Sequence, residues 1–127
     1  MNKYAYNPDP KKSARVFGRG LRISQKSSTI VCSRITGMSL DKGRRLLMNM
    51  LIQKESLSGK YYTNVTKELL NMLRSAESNA EFKGLEPTRL KIHASAHTGF
   101  RFYRPRGWKR RGEKRKVCNI QMVLEER

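Results

Sequence analysis

The chain has 127 residues, with 28 Lys or Arg against 10 Asp or Glu, a net charge of +18 and a sequence pI near 10.6. Self-repulsion of that size ill suits a free-standing metabolic enzyme and calls for a polyanionic partner. The length supports one core, and 37% apolar residues in periodic segments exclude a wholly disordered basic tail.

The N-terminal stretch MNKYAYNPDPKKSARVFGRG has no apolar run of the signal-peptide kind, and no segment approaches the roughly 20 apolar residues of a membrane span. Asp9, two prolines and the lack of an amphipathic helix also argue against an organellar leader. The expectation is a mature cytoplasmic chain. The two cysteines, Cys32 and Cys118, form no disulfide framework, which agrees with a reducing compartment. Residues 1–26 carry seven Lys or Arg and one Asp, so a third of the net charge sits in this first fifth of the chain. Within it Lys11, Lys12, Arg15, Arg19, Arg22 and Lys26 are candidate RNA contacts.

The middle of the chain has helical periodicity. Ser24 is placed to cap a helix over 25–36 with Val31, Cys32 and Ile35 on one face, ending at Gly37. Ser39 is placed to cap a second, running to about Glu55, with Asp41 in its first turn and Leu40, Leu47, Met50 and Leu51 facing inward. A polar connection, 56–63, leads to the clearest pattern, in which Val65, Leu69, Met72, Leu73, Ala76 and Ala80 form a core stripe. Gly84 is set to close this helix in the left-handed conformation, with Leu85 folding back.

Beyond it the period becomes two. Leu90, Ile92, Ala94 and Ala96 alternate with polar residues, as do Cys118, Ile120, Met122 and Leu124. Matching these apolar faces antiparallel puts Ala94 opposite Met122 and Ala96 opposite Ile120, and centres the turn near Trp108. The hairpin then outgrows the core. At roughly 3.3 Å per residue its outer part spans about 35 to 40 Å, and it lacks the aliphatic residues that would bury either face. Residues 97–116 hold nine Lys or Arg and one Glu, interleaved with Phe100, Phe102, Tyr103 and Trp108. Cations neutralise phosphates while aromatic rings and guanidinium planes stack on unpaired bases, so the mixture suits RNA. The candidate contacts are His97, Arg101, Tyr103, Arg104, Arg106, Trp108, Lys109, Arg110, Arg111, Lys114, Arg115 and Lys116.

The segments GRGLRIS, GMSLDKGRRLL, SAESNAEFKGLEPTRLKI and KVCNIQMVLEE, together with the RPRGW arm tip, carry a resemblance over nearly the whole chain. It is similar to the universal large-subunit ribosomal protein family numbered twenty-two in the bacterial scheme. The wording YNPDPKKSARVFGRG and EFKGL resembles the archaeal and eukaryotic branch, except that only 56–63 joins the second and third helices, where that branch commonly has a basic, aromatic-rich insertion. The resemblance implies an α+β fold of about three helices packed on a three-stranded antiparallel sheet with a long protruding basic β-hairpin, residues 13–23 supplying the first strand. It implies a basic N-terminal extension (1–12), a core (13–96 and 117–127) and an arm (97–116). It also implies partners: large-subunit rRNA, neighbouring large-subunit proteins, and a nascent polypeptide passing the tip (104–111) in the exit tunnel.

Rival classes have less behind them. Two Asp, eight Glu and two His show no catalytic spacing, and Glu77 with Glu81 fits a solvated helix face, so no catalytic residue or cofactor is expected. Cys32, Cys118, His93 and His97 form a zinc inventory without zinc spacing, since the two His stand about 13 Å apart on an extended strand. Phe17–Gly20 lacks the Lys-Ser/Thr of a phosphate loop and reads as a bend in an RNA-facing strand. The alternative is a free-standing basic regulatory or chromatin-type protein, which would fold and bind a defined site alone. A secreted membrane-active peptide would need disulfides or a basic amphipathic helix.

Overall fold

A computed structural model describes residues 4–107 and 109–127. After a 3-10 turn at Pro10–Lys12 come β1 (Ser13–Leu21), α1 (Gln25–Ile35), α2 (Leu40–Leu51) and α3 (Thr63–Phe82). A second 3-10 turn at Pro87–Arg89 then leads into β2 (Leu90–Thr98) and β3 (Cys118–Glu126). The sheet is antiparallel in the order β1-β3-β2, so the last strand lies between the other two.

The pleat sorts the residues as the alternation requires. Ala94 pairs with Met122 and Ala96 with Ile120, the expected register, and on the other side Ala14 and Val16 pair with Leu124 and Met122. This face receives the helices: Val31, Cys32 and Ile35 of α1, Leu40, Leu47 and Met50 of α2, and all six stripe residues of α3 are buried against it. Small residues permit the close approaches. A β-carbon at Gly18 would stand 2.8 Å from the Met72 sulfur, and one at Gly43 would stand 2.5 Å from the Ile92 Cδ1.

Helix ends follow local chemistry. The Ser24 hydroxyl accepts from the Ser27 amide at 3.5 Å. Ser39 is the N-cap residue of α2 without a side-chain cap bond, and it forms an isolated antiparallel bridge with Lys91. That helix stops at Leu51, short of the expected Glu55. Gln53 turns to a φ of 62° and the Asn49 carbonyl accepts the amides of Lys54 and Glu55. The connection is a tight two-residue reversal, with Ser58 and Gly59 at φ 52° and 78° between the paired Leu57 and Lys60. Residues 36–38 cover the open edge of β2: Gly37 N–H donates to the Ile92 carbonyl and Ile92 N–H to that of Met38, at 2.8 and 2.9 Å. An uncovered edge would invite pairing with another chain.

At the end of α3, Gly84 has a φ of 73°, Gly84 N–H donates to the Glu81 carbonyl and Leu85 N–H to that of Ala80. This is the double-bonded left-handed cap the sequence called for. No atom stands within 4 Å of a β-carbon built at Gly84, so Gly84→Ala costs backbone strain alone. A destabilisation of about 1 kcal/mol is expected in urea unfolding.

Candidate nucleic-acid interface

The N-terminal segment lies across the sheet face opposite the helices. Ala5 N–H donates to Gln121 Oε1 at 2.8 Å, the Tyr6 ring stacks on His93 with centroids 4.1 Å apart, and the Tyr6 hydroxyl donates to Glu125 Oε2 at 2.8 Å. Arg15, on the same face, holds its guanidinium 5.4 Å from the Tyr4 ring centroid. This docking presents Lys11 and Lys12 to solvent on the first 3-10 turn, while Arg19 projects from β1 and Lys26 from the first turn of α1. Ordinary alternation gave no sign of Tyr6 as a docking group, because its partners His93 and Glu125 are more than 80 residues away.

The Tyr6 hydrogen bond, and secondarily the charge and hydrogen bond of Arg127, hold the Glu125 carboxyl below its ordinary value of 4.5. A carboxyl depressed in the folded state stabilises the fold above that value, and the contribution is lost as pH falls through the folded pKa. Tyr6→Phe is therefore expected to lower Tm at pH 7 and to narrow the gap to the wild type as pH drops below 4.5. Thermal melts from pH 7 to about pH 3 check the sign.

The bend expected at Phe17–Gly20 is a bulge. The β1 register shifts between Gly18 and Leu21, Gly20 takes a φ of 68°, and its amide donates to Asn119 Oδ1 at 2.9 Å. The root of the arm seats on this bulge. A β-carbon at Gly20 would stand 2.7 Å from the Phe100 ring, Phe100 meets Phe102 edge-on at 6.5 Å, and Arg22 lies 5.2 Å from the Phe102 centroid. Arg22 also donates to the Lys116 carbonyl at 3.0 Å. Two of the arm's aromatics and one candidate RNA contact thus fix the root of the arm to the body.

His97 is exposed on β2, where the regular ladder continues to the Thr98–Cys118 pair. Pairing resumes with Arg115 N–H to the Phe102 carbonyl, the Tyr103–Lys114 bridge and Arg104 N–H to the Glu113 carbonyl. Their register is one residue offset from that of β2 and β3. Arg101, Tyr103, Lys114 and Lys116 are exposed along this stem, with Arg104 and Arg115 half-buried. Arg106, Lys109, Arg110 and Arg111 are exposed around the tip, and Trp108 lies outside the described residues. Arg104, Arg106, Lys109 and Arg115 line one cavity of about 550 Å³ with Pro105 and Gly107. Four cations around a concavity of this size give it a positive potential that attracts anions.

A second basic cleft, of about 230 Å³, lies where α1 and α3 begin. Arg22, Ser24 and Ser27 line it from one side, Tyr62, Thr63 and Asn64 from the other, with Lys116 at its rim. Unpaired amides at helix starts carry partial positive charge, which adds to that of the two cations. The start of α3 went unmarked in the sequence because it lacks a side-chain cap: Tyr62, at φ 46°, holds the N-cap position.

The remaining reactive side chains serve packing. Burial, and next the neighbouring Cys118, pushes the Cys32 thiol up to about 12, and burial also raises Cys118. Both stay protonated at neutral pH, unlike the thiolates that bind metals or attack electrophiles. Glu77 forms an ion pair with Arg44 between α3 and α2, while Glu81 is exposed. Among the described residues no three His, Cys, Asp or Glu gather as a metal cluster would require. No helix among them is long and apolar enough to cross a membrane.

Residues 16–125 match the family model described as Ribosomal protein L22p/L17e. The chain is 32% identical to the large ribosomal subunit protein uL22 of Methanococcus aeolicus, with 97% of this chain and 95% of that protein covered. It is 34% identical to the uL22 of Methanococcus maripaludis strain S2 (98% and 96% covered) and 31% identical to that of Methanocaldococcus jannaschii (98% and 94%). The first of these alignments runs over 146 positions against the 127 residues here, so the archaeal relative carries residues with no counterpart in this chain. The match takes in all three helices, the arm and most of each strand, and this chain belongs to the ribosomal protein L22p/L17e family.

Proposed function

We propose that the chain is a structural protein of the large ribosomal subunit that binds large-subunit rRNA through its N-terminal segment and its arm and supports subunit assembly. Its arm lines the nascent-peptide exit tunnel, with the tip beside the passing polypeptide. It performs no chemistry and takes no cofactor or metal. The observation that carries this reading is the division of charge: residues 97–116 hold nine cations and one carboxylate, and most of the described residues of its outer half are exposed. Such a segment, which buries little of its own surface, gains its order and its electrostatic relief from a polyanion. Membership of a large-subunit protein family supports large-subunit rRNA as that polyanion. Neighbouring large-subunit proteins are the other partners.

Sedimentation of a cell extract on a low-salt gradient tests the reading. The chain is expected in the large-subunit fractions and is expected to stay there through a moderate salt wash. Recovery with small free species, as for a basic regulatory or chromatin-type protein, contradicts it.

A further inference from the structure

We propose that Phe82, at the C-terminal end of α3, is a stacking platform for an unpaired nucleobase of the RNA this chain binds, a contact that rests on the rRNA reading above. Phe82 is 93% exposed, against 50% for Met48 on α2 and 57% for Ile52 just past its end. It is nevertheless held on a fixed backbone, because the cap formed by Gly84 and Leu85 follows directly. Phe82 lines a cleft of about 280 Å³ with Pro10, Arg15, Asn79 and Lys83.

The walls of that cleft are tied together. Lys83 Nζ donates to the carbonyls of Pro10 and Ser13 at 3.1 and 2.8 Å, and Asn79 Nδ2 to that of Arg15 at 3.1 Å. Arg15 Nη2 in turn donates to the Pro8 carbonyl at 3.4 Å. The exposed Lys11 and Lys12 follow Pro10 directly. Against these four cations stand two carboxylates in the same stretches, Asp9 and Glu81, and Asp9 already accepts from the Lys11 amide. The surface therefore attracts anions while offering one flat aromatic face. An unpaired nucleotide supplies both complements in a single unit, a phosphate for the cations and a π face for the ring. A protein partner would need an acidic and an apolar side chain placed separately.

Full-length Phe82→Ala, Phe82→Leu and Phe82→Trp chains, assayed by filter binding against protein-free large-subunit rRNA, test the contact. The Ala and Leu variants are expected to bind at least about fivefold more weakly, the low end for loss of one base–aromatic stack, and the Trp variant at least as tightly as the wild type. The salt dependence and the thermal melts are expected to stay those of the wild type. Leu binding like Phe points to an ordinary apolar contact, as with a protein side chain, and overturns the proposal. So does unchanged binding of all three variants. If the wild type shows no preference for large-subunit rRNA over an unrelated RNA of equal length, the rRNA reading fails and this contact falls with it.

Discussion

Replacing Arg104, Arg106, Lys109, Arg110 and Arg111 together with Gln is expected to weaken binding to large-subunit rRNA by about 10³-fold at 0.1 M salt. Each phosphate that a cation neutralises releases condensed counterions and steepens the dependence of log K on log salt by about 0.7 to 0.9. Removing all five cations therefore lowers that slope by about 4, so the deficit shrinks as salt rises. The same chain should unfold at the wild-type midpoint. These residues lie on the tip and outer stem of the arm, whereas the buried core draws on the strands, the three helices and their immediate connections. Filter binding at several salt concentrations, paired with a thermal melt, reads both quantities. An unchanged slope with weaker binding would point to a folding defect instead.

The largest effect on stability is expected at the centre of the sheet. Ile120 is fully buried on β3, between Gly18 of β1 and Ala96 of β2, and faces the helix layer. Ile120→Ala removes three carbons that small neighbours cannot replace, and costs about 2 to 5 kcal/mol. Domains of this size are stable by only about 5 to 15 kcal/mol, so the variant should melt far below the wild type. The charge of +18 adds to the problem, since repulsion already opposes the free fold. Binding to rRNA, which relieves that repulsion, should raise the midpoint of both chains. Circular-dichroism melts with and without rRNA measure this.

Much of the body is legible in the sequence, because it is built from local signals. The α3 stripe, the left-handed Gly84 and the Ala94–Met122 register each follow from a period or a single conformational requirement within a few residues. The early end of α2 is not legible, because Gln53 in the left-handed region violates the usual preference and the chain gives no Gly or Pro there. The arm is visible as charge and alternation. Its root is not, since Phe100 against Gly20 and Arg22 against Phe102 are contacts between residues 80 positions apart, and composition alone assigns those aromatics to RNA. The docking of Ala5 and Tyr6 on the sheet is hidden for the same reason. Phe82 stands just beyond the core stripe and looks like the ordinary end of a helix. Only its exposure beside the cleft of Arg15 and Lys83 distinguishes it.

The most direct measurement is photocrosslinking from the arm tip within assembled large subunits. A photoreactive phenylalanine analogue at position 107 reports what lies against the tip while a stalled nascent chain occupies the tunnel. Adducts to large-subunit rRNA are expected in every subunit, and to the nascent polypeptide when one is present. Adducts confined to other proteins, or none to rRNA with the chain stably incorporated, would contradict it.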